Sequence, residues 1–325
     1  MASAPAAIDT HVRPIASGRW ATRPRLPAIG RAVLLFALSS LLLIYVVGPV
    51  LWLLSSGLQT EADITSVPPN WIPPNPTLAN FEAIFRHGSD VITYETRRAG
   101  DPATGAFLPT GAENLLPSVG NSLIVGLWVA VLNLVVSITA AYAIAVIHFR
   151  GRRQALYTIL VSRVIPDIAL IVPLFLVVRA LGLINTLSAL VVTYLAVTIP
   201  FTIFILISYF ESIPRDLYKA ARIDGCSHLG ALRHVYLPLA IPALIASLMF
   251  AFLTSWNEFL FALILTQNIA SQTLPIVITG FVLDFTTSFS FVNAAGVIAI
   301  VPPVILAMLF QRYIVSGLTA GAVKG

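Results

Sequence analysis

The stretch that decides the fold is residues 211–238, ESIPRDLYKAARIDGCSHLGALRHVYLP, which lies between two long apolar runs. Pro214 suits the first turn of a helix, where its missing N–H costs no hydrogen bond. Gly225 suits the left-handed residue that ends a helix, because glycine has no Cβ to clash in that conformation. The stretch therefore predicts two short helices separated by a turn.

One face of the first predicted helix carries small and apolar side chains. At helical spacing these are Leu217, Ala220 and Ala221, and the short acidic residue Asp224 shares their face. Because alanine side chains are short, the surface of another protein can approach this backbone closely. Pro238 closes the second helical piece before the next apolar run begins. We therefore expect this stretch to contact a partner chain.

The composition is that of a membrane protein. Of 325 residues, 58% are hydrophobic and only 10% are charged, with a mean hydropathy of +0.90. Soluble domains are about a quarter charged. Cys226 is the single cysteine, which excludes a disulfide framework or a cysteine-based metal site within one copy.

Six apolar runs are long enough to cross a bilayer, because about 20 residues at ~1.5 Å each span its ~30 Å core. They are residues 32–58, 119–147, 154–178, 180–210, 239–265 and 285–311. The fourth run needs a turn near its start, at Gly182 and Asn185. Charges interrupt only the third run, at Arg163 and Asp167, and the fifth, at Glu258. The sequence therefore predicts an all-α membrane protein with six transmembrane helices.

Most of the 19 lysines and arginines flank these spans on one side. They are Arg13, Arg19, Arg23, Arg25, Arg31, Arg150, Arg152, Arg153, Arg215, Lys219, Arg222, Arg233, Arg312 and Lys324. Because basic residues accumulate in cytoplasmic loops, both termini are predicted to be cytoplasmic. The net charge of +5 thus reflects topology, and it gives no reason to expect a nucleic-acid partner.

Two cytoplasmic tails are predicted to flank a membrane domain at 32–314. Residues 1–31 precede a retained first span, whose apolar run is too long for the roughly 7–15-residue core of a secretory signal. Residues 315–325 are the C-terminal tail, which is predicted to be small and flexible from Gly317 to Gly325.

A long external loop, residues 59–118, is predicted between the first and second spans. Its proline-rich segment 68–76 is expected to be extended, since proline breaks helices. Residues 77–85 predict a short amphipathic helix. The polar, glycine-rich segment 87–117 is expected to be an exposed insertion.

The 211–238 stretch resembles the EAA loop of permeases in ATP-binding-cassette importers. That pattern is Glu-Ala-Ala, three residues, glycine, nine residues, an aliphatic residue, any residue and Leu-Pro. The matching positions are Ala220, Ala221, Gly225, Val235, Leu237 and Pro238. Lys219 departs from the pattern, because it stands where the family has glutamate and reverses the charge expected to face the ATPase.

Other motifs are similar to those of the maltose-type carbohydrate branch of these permeases, in its smaller permease subunit. They are Asn121-Ser122-Leu123, Ile199-Pro200-Phe201, Trp256-Asn257-Glu258-Phe259 and the closing run 311–325, QRYIVSGLTAGAVKG. The resemblance covers residues 32–325 except the insertion at 87–117.

The resemblance implies a type I importer permease in the inner membrane of a bacterium. It would pair with a second homologous permease and receive a sugar, polyol or similar solute from an external binding protein. A dimer of nucleotide-binding subunits would hold ATP and Mg and drive transport, so this chain is expected to carry no cofactor. The positions implied to couple to that ATPase are Lys219, Ala220, Ala221, Asp224, Gly225, Leu237 and Pro238.

The resemblance also implies a role for the C-terminal tail, which in related permeases inserts between the ATPase subunits. The positions implied are Gly317, Leu318, Thr319, Gly321 and Lys324. The alternative is an ordinary frayed chain end.

No enzyme site is expected in the sequence itself. A phosphate-binding loop needs Gly-x-x-x-x-Gly-Lys-Ser/Thr, and neither of the two lysines, Lys219 and Lys324, has that context. The five histidines, at positions 11, 87, 148, 228 and 234, are scattered without metal-site spacing. We therefore expect no catalytic residue and no metal.

Charged and polar residues within the spans are candidates for the solute path, because charge is costly in a bilayer. Arg163 and Asp167, four apart in one predicted helix, share a face and either neutralise each other or line the path. Asn257 and Glu258 are predicted near the outer end of the fifth span, as path residues or as packing against a partner subunit. Tyr194 is expected to hold helices together.

Three other functions stay open at this stage. A glycerol phosphate importer belongs to the same family. A stand-alone, ion-coupled secondary transporter predicts an inverted repeat, for which the sequence shows no second half. An intramembrane enzyme needs converging catalytic groups, and Ser–His pairs are absent from the spans. The solute, and the share of its contacts that this chain makes, do not follow from the sequence.

Overall fold

The structure is a computed structural model that describes residues 28–87, 109, 111–147, 149–283 and 288–322, and every regular element in this part is helical. The α-helices are α1 (Ala28–Gly57), α2 (Glu61–Ile64), α3 (Ala79–His87), α4 (Leu115–Ala145), α5 (Arg152–Ser162), α6 (Asp167–Ala180), α7 (Leu187–Ser212), α8 (Arg215–Ile223), α9 (His228–Ala231), α10 (Leu237–Leu239), α11 (Ile241–Trp256), α12 (Leu260–Leu265), α13 (Leu274–Leu283) and α14 (Phe289–Ala322). A π-helical turn, Leu232–Tyr236, joins α9 to α10.

Four helices in this part are long and apolar enough to cross a membrane, namely α1, α4, α7 and α14. The total rises to six if each bent helix pair is one span: α5 with α6, bent by 103°, and the segment 228–239 with α11, bent by 82°. The predicted all-α architecture is confirmed, and its six spans equal this upper count. The predicted turn before α7 is also present, with positive φ at Gly182 (69°) and Asn185 (63°).

The third predicted span is not one continuous helix. Pro166 disfavours helical backbone at the residue before it, and Pro166 itself is extended (φ −62°, ψ 139°). Arg163 therefore caps the end of α5, whereas Asp167 begins α6. The prediction that these two residues share a face of one helix is wrong.

The fifth predicted span is interrupted as well. Its first residue, Leu239, belongs to α10, and Ala240 separates α10 from α11, which has Pro242 in its first turn. At the other end α11 stops at Trp256, and α12 begins only at Leu260. The motif Trp256–Phe259 thus lies at a break in the helix, where backbone amides are available to side chains.

Helix α4 is central to the compact unit that starts at Leu51, and it packs against both α7 and α11. Its close approach to α11 depends on Gly126, because a Cβ there would lie 2.9 Å from the Phe252 ring. Next to Phe252, the Trp256 indole N–H donates to the Ala299 carbonyl on α14 at 3.2 Å. These contacts hold α4, α11 and α14 together.

The described residues 28–50 belong to a separate unit, which ends at Val50. Its large apolar side chains are exposed on all faces; Phe36 is 76% exposed and Tyr45 is 79% exposed. A helix that is apolar all round suits lipid or another apolar protein surface. This segment is the expected first span.

The loop at 59–118 agrees in part with the prediction. The proline-rich segment 68–76 is non-helical, and α3 forms where an amphipathic helix was expected, with Ala83 and Ile84 fully buried. Residues 88–108 and 110 lie outside the described residues. The prediction of an exposed insertion at 87–117 is wrong for the end of that segment, because Ala112 and Leu115 are fully buried in the core.

Glu61 ties this loop to the start of α14. Its carboxylate accepts hydrogen bonds from the backbone N–H groups of Phe289 (3.1 Å) and Ser290 (3.0 Å). It also accepts from the hydroxyls of Ser288 (3.0 Å) and Ser290 (2.9 Å). A carboxylate at a helix N-terminus is favoured because it satisfies free amides and faces the positive end of the helix dipole.

We expect Glu61→Ala to destabilise the protein by about 1.5–3 kcal/mol, the usual value of hydrogen bonds to a charged group. Thermal unfolding of the purified protein in detergent measures the effect. Glu82→Ala is the matched control, because Glu82 is exposed and its side chain makes no hydrogen bond to the described residues. Equal melting temperatures for the two variants would contradict this role of Glu61.

Candidate functional site

Helix α8 ends in the glycine turn that the sequence predicts. The Cys226 N–H donates to the Ala221 carbonyl (2.9 Å), and the Gly225 N–H donates to the Arg222 carbonyl (3.3 Å). Gly225 has φ of +85°. This pair of bonds around a left-handed residue is the Schellman motif, which satisfies the last carbonyls of the helix. The turn fixes the direction in which the chain leaves α8.

The outer face of α8 is formed by only part of the predicted set. Leu217, Ala220 and Asp224 are exposed, whereas Ala221 is buried against the rest of the protein. The prediction that all four share one accessible face is therefore wrong for Ala221. The first three remain open to a partner surface.

Lys219 pairs within its own helix. Its Nζ donates to the Asp216 carboxylate at 2.9 Å, and both side chains are exposed. The hydrogen bond, reinforced by the lysine charge, lowers the pKa of Asp216. The ion pair is therefore fully formed at pH values above the ordinary pKa of an aspartate. It is lost only as the pH falls through the lowered pKa of Asp216. Lys219 thus carries its own counter-ion, which leaves this position nearly neutral.

The second half of the loop turns back towards the membrane helices. Ser227 caps α9 by accepting a hydrogen bond from the Gly230 N–H (3.0 Å). The π-helical turn that follows places Tyr236 inside the protein, where it is 1% exposed. In α10, Leu237 is half-buried and Pro238 is exposed. Single π-helical turns occur frequently at functional sites.

An aromatic cluster lies beneath this loop, where it meets α4 and α7. The ring of Tyr236 packs against Tyr142 of α4, with centroids 5.3 Å apart, and against Phe210 of α7, at 5.7 Å. Tyr218 of α8 also contacts it, at 6.4 Å. Tyr142 and Phe210 are almost fully buried. The loop therefore rests on packed rings that connect it to two membrane helices.

A cleft of about 320 Å³ separates part of α8 from the ends of α4 and α7. Tyr218 and Lys219 line one wall, and Phe210 and Glu211 line the other. Across the same region the Arg152 guanidinium donates to the Glu211 carboxylate at 2.5 Å, which joins α5 to the end of α7. An exposed ion pair of this kind contributes little stability, so its main effect is on the orientation of α5 relative to the end of α7.

The polar residues predicted inside the spans line two adjoining cavities of about 430 and 100 Å³, which share Asp167 and Val197. Arg163 lines the larger cavity; its guanidinium donates to the Val197 carbonyl (3.2 Å) and lies 5.3 Å from the centre of the Phe201 ring. Arg163 and Asp167 form no ion pair in the described structure. The alternative in which they neutralise each other therefore does not hold within this chain.

Glu258 lines the smaller cavity together with Asp167. Its two carboxylate oxygens accept hydrogen bonds from the backbone N–H groups of Phe261 (2.8 Å) and Ala262 (3.1 Å), at the start of α12. Glu258 therefore caps the start of α12, and its carboxylate also lines the cavity.

Two buried hydroxyls in this smaller cavity have no hydrogen bond of normal geometry to a described residue. They belong to Tyr194, which faces Glu258 and is 2% exposed, and to Ser255. Buried polar groups are nearly always satisfied by protein, water or ligand. The cavity is thus polar and suited to water or to a hydroxyl-bearing molecule.

Asn257 and the path of the chain to Glu258 differ from the prediction. Asn257 faces a separate cavity of about 280 Å³, beside Trp256 and Pro303, so it is not grouped with the other three candidates. The straight helical rise expected from Leu239 to Glu258 is wrong, because the chain breaks at Ala240 and again after Trp256. Glu258 shares the smaller cavity with Thr198 of α7.

The C-terminal segment is helical further than expected. Helix α14 continues to Ala322, so the prediction of a flexible tail from Gly317 is wrong for the backbone of residues 317–322. Lys324 lies outside the described residues. In the part of the chain that the structure describes, no three His, Cys, Asp or Glu side chains come together as metal ligands.

The profile of one protein family, the binding-protein-dependent transport system inner membrane component, matches residues 133–320. The chain belongs to this family. The match includes α7, the 211–238 loop and both cavities, so the sites described above lie within the family's common region. The chain is thus a multi-pass inner-membrane permease of a binding-protein-dependent system.

Curated relatives agree over nearly the whole permease. The sulfoquinovosyl glycerol transport system permease protein SmoH of Agrobacterium fabrum is 38% identical, covering 89% of this chain and 93% of its own length. The trehalose transport system permease protein SugB of Mycobacterium tuberculosis is 33% identical, covering 91% and 98%. The trehalose/maltose transport system permease protein MalG of Thermococcus litoralis is 42% identical, covering 63% and 74%. The resemblance to maltose-type permeases is confirmed.

A solved structure shares the fold of this permease. It is a chain of a bacterial ABC transporter involved in the import of the acidic polysaccharide alginate, with a TM-score of 0.71 and 22% identity. The match covers 90% of this chain and all of the other. The predicted fold of an ABC importer permease is confirmed by this likeness.

Several residues at these sites were not singled out from the sequence. Tyr142 lies near the end of an apolar run, but no local pattern connects it to a loop some 86 residues later. Tyr194 was expected only to hold helices together, whereas its hydroxyl lines a cavity. The ion pair between Arg152 and Glu211 also joins distant positions. The available signal was a tyrosine inside or at the end of a span, where its hydroxyl needs a partner.

Proposed function

We propose that this permease imports a carbohydrate-type solute, such as a sugar or polyol, using ATP hydrolysed by separate cassette subunits. The observation that carries the proposal is the 211–238 loop, which presents Leu217, Ala220 and Asp224 outward and rests on the ends of α4 and α7. Relatives named for trehalose, maltose and sulfoquinovosyl glycerol support a carbohydrate solute.

The proposed partners are a second homologous permease, two ATPase subunits that hold ATP and Mg, and an external solute-binding protein. The ATPase surface would meet the positions Lys219, Ala220, Asp224, Gly225, Leu237 and Pro238. The family has glutamate where this chain has Lys219. Because Lys219 is already paired with Asp216, docking at this position does not require an acidic residue on the ATPase. The basic residues of this loop support a cytoplasmic location for it and for both chain ends.

The solute path is proposed to run past Arg163, Asp167 and Glu258. Carboxylate oxygens accept hydrogen bonds from sugar hydroxyls, and a guanidinium donates them. The hydroxyls of Tyr194, which faces Glu258, and of Ser255 add further polar groups to the smaller cavity. Asn257 belongs to the other cavity and is proposed to pack against the partner permease.

Purification of the tagged chain from its native membrane tests the proposal. We expect a second permease and a cassette ATPase to co-purify. In proteoliposomes, binding protein loaded with one member of a panel of trehalose, maltose, polyols and glycerol phosphate should stimulate ATP hydrolysis. If glycerol phosphate is the one solute of the panel that stimulates hydrolysis, it replaces a carbohydrate as the assigned solute. Transport by the chain without an ATPase would overturn the proposal.

The C-terminal segment is proposed to contact the ATPase subunits through Gly317, Leu318, Thr319, Gly321 and Lys324. We expect deletion of residues 317–325 to lower uptake by about tenfold relative to ATP hydrolysis, the size of a typical coupling energy between sites. Adding two residues after Gly325 is the control, since it leaves the segment in place. Unchanged uptake and hydrolysis after the deletion would indicate a frayed end.

A further inference from the structure

The 211–238 loop is attached to α4 by one buried hydroxyl. The Tyr142 hydroxyl donates to the backbone carbonyl of His228 at 2.8 Å, in the first turn of α9. That carbonyl also accepts from the Leu232 N–H, so both of its lone pairs are used. Tyr142 itself is 3% exposed, whereas His228 is exposed, so the bond lies at the edge of the buried core.

On the loop side of this contact, a hydrogen bond joins α8 to α9. The hydroxyl of Tyr218 and Nδ1 of His228 are 2.6 Å apart, and their rings lie nearly parallel. This bond connects α8, which ends in the Schellman turn, to α9. The ring of Tyr236 packs against Tyr142 from the same loop. A movement of α8 therefore carries the His228 carbonyl with it.

The membrane side of the contact leads to the cavities. Helix α4 is continuous from Leu115 to Ala145 and packs against α7 and α11. About 14 Å along its axis from Tyr142, the Asn133 side-chain amide donates to the Thr198 hydroxyl at 2.8 Å. Thr198 lines the smaller cavity, with Asp167 and Glu258. A rigid helix thus joins the loop contact to the cavity wall.

We propose that Tyr142 is a positioning residue that transmits displacement of the 211–238 loop to α4 and so to the cavity lined by Asp167 and Glu258. The inference rests on the proposed coupling of this loop to an ATPase. When the loop moves away from α4, the hydrogen bond from the Tyr142 hydroxyl to His228 draws α4 with it. The packing of the Tyr142 ring against Tyr236 transmits only movement of the loop towards α4. Removal of the hydroxyl alone therefore separates transmission from folding.

The test uses the assembled complex in proteoliposomes and needs no identified solute. Thr254, which lines the smaller cavity and is half-buried, is replaced by cysteine in every variant. The rate of its labelling by a membrane-impermeant maleimide is measured with and without MgATP and vanadate. Mass spectrometry of the labelled peptide distinguishes residue 254 from Cys226, the single native cysteine. ATP hydrolysis and the amount of bound ATPase are measured on the same samples.

We expect nucleotide to change the labelling rate in the parent complex. Adding Tyr142→Phe should reduce that change by about fivefold, the equivalent of one hydrogen bond, while ATP hydrolysis and bound ATPase stay as in the parent. Tyr157→Phe is the matched control, because Tyr157 is 63% exposed and its hydroxyl makes no hydrogen bond to the described residues. It should leave the labelling change intact.

The outcomes separate this inference from the proposed function. A full labelling change with Tyr142→Phe, when Gly225→Val abolishes the change, would overturn the role of Tyr142 alone. Loss of bound ATPase in the Tyr142→Phe complex would also overturn it, because the residue would then only stabilise the loop. If nucleotide changes the labelling rate equally in the parent and Gly225→Val complexes, the proposed coupling by the loop fails instead.

Discussion

Replacing Gly225 by valine is expected to reduce ATP-driven uptake by about 5- to 30-fold, which corresponds to roughly 1–2 kcal/mol of strain. Gly225 has φ of +85°, a conformation that a β-branched residue rarely adopts. No heavy atom lies within 4 Å of the position of a Cβ there, so the cost comes from the backbone and not from a clash. Relief of this strain requires the Schellman turn to open.

Opening of that turn changes the direction of α9 relative to α8. The bonds from Cys226 to Ala221 and from Gly225 to Arg222 are lost together. The loop then no longer presents its outer face in a fixed position above α4. We therefore expect ATP hydrolysis to continue without matching uptake, in a permease that still inserts into the membrane.

Uptake and ATP hydrolysis in proteoliposomes measure this uncoupling. Gly225→Asn should retain most uptake, because asparagine tolerates left-handed backbone better than other residues with a Cβ. Gly182→Val is the matched control, since Gly182 also has positive φ (69°) and an open Cβ position but lies in the turn before α7. Normal uptake by Gly225→Val, with hydrolysis and uptake in their native ratio, would refute the coupling role of the loop.

The parts of this site that follow from the sequence are those governed by neighbouring residues. Gly225 and Pro214 could be assigned to a turn and a helix start because the conformational limits of glycine and proline act locally. The positive charge of Lys219 was evident from the sequence, but its pairing with Asp216 became clear only from the structure. The spans were recognisable because about 20 apolar residues suffice for a membrane crossing.

The geometry of the cavity could not be predicted in the same way. Hydropathy counts residues and does not show where a helix changes direction, so Arg163 and Asp167 appeared to share one helix. The signal for this break was Pro166, because a proline disfavours helical backbone at the residue before it. The bond from Tyr142 to His228 joins positions 86 apart, which only tertiary packing determines.

Glu258 is the residue whose replacement most clearly separates a structural role from a role in transport. It accepts hydrogen bonds from two backbone amides of α12 and also faces the smaller cavity. Glu258→Ala leaves both amides without an acceptor, at a cost of about 1–3 kcal/mol for each. We expect a lower melting temperature and less assembled complex for this variant.

Glu258→Gln distinguishes the two roles, because its amide oxygen still accepts a hydrogen bond from one of the two α12 amides while the negative charge is lost. If the carboxylate contacts solute, uptake should fall by about tenfold, as for loss of a charged hydrogen bond, with a melting temperature between those of the native and Glu258→Ala complexes. Asn257→Ala is the control at the adjacent position, which faces the other cavity. Native uptake by Glu258→Gln would show that Glu258 is only a helix cap, and the solute path would then have to rest on Arg163 and Asp167.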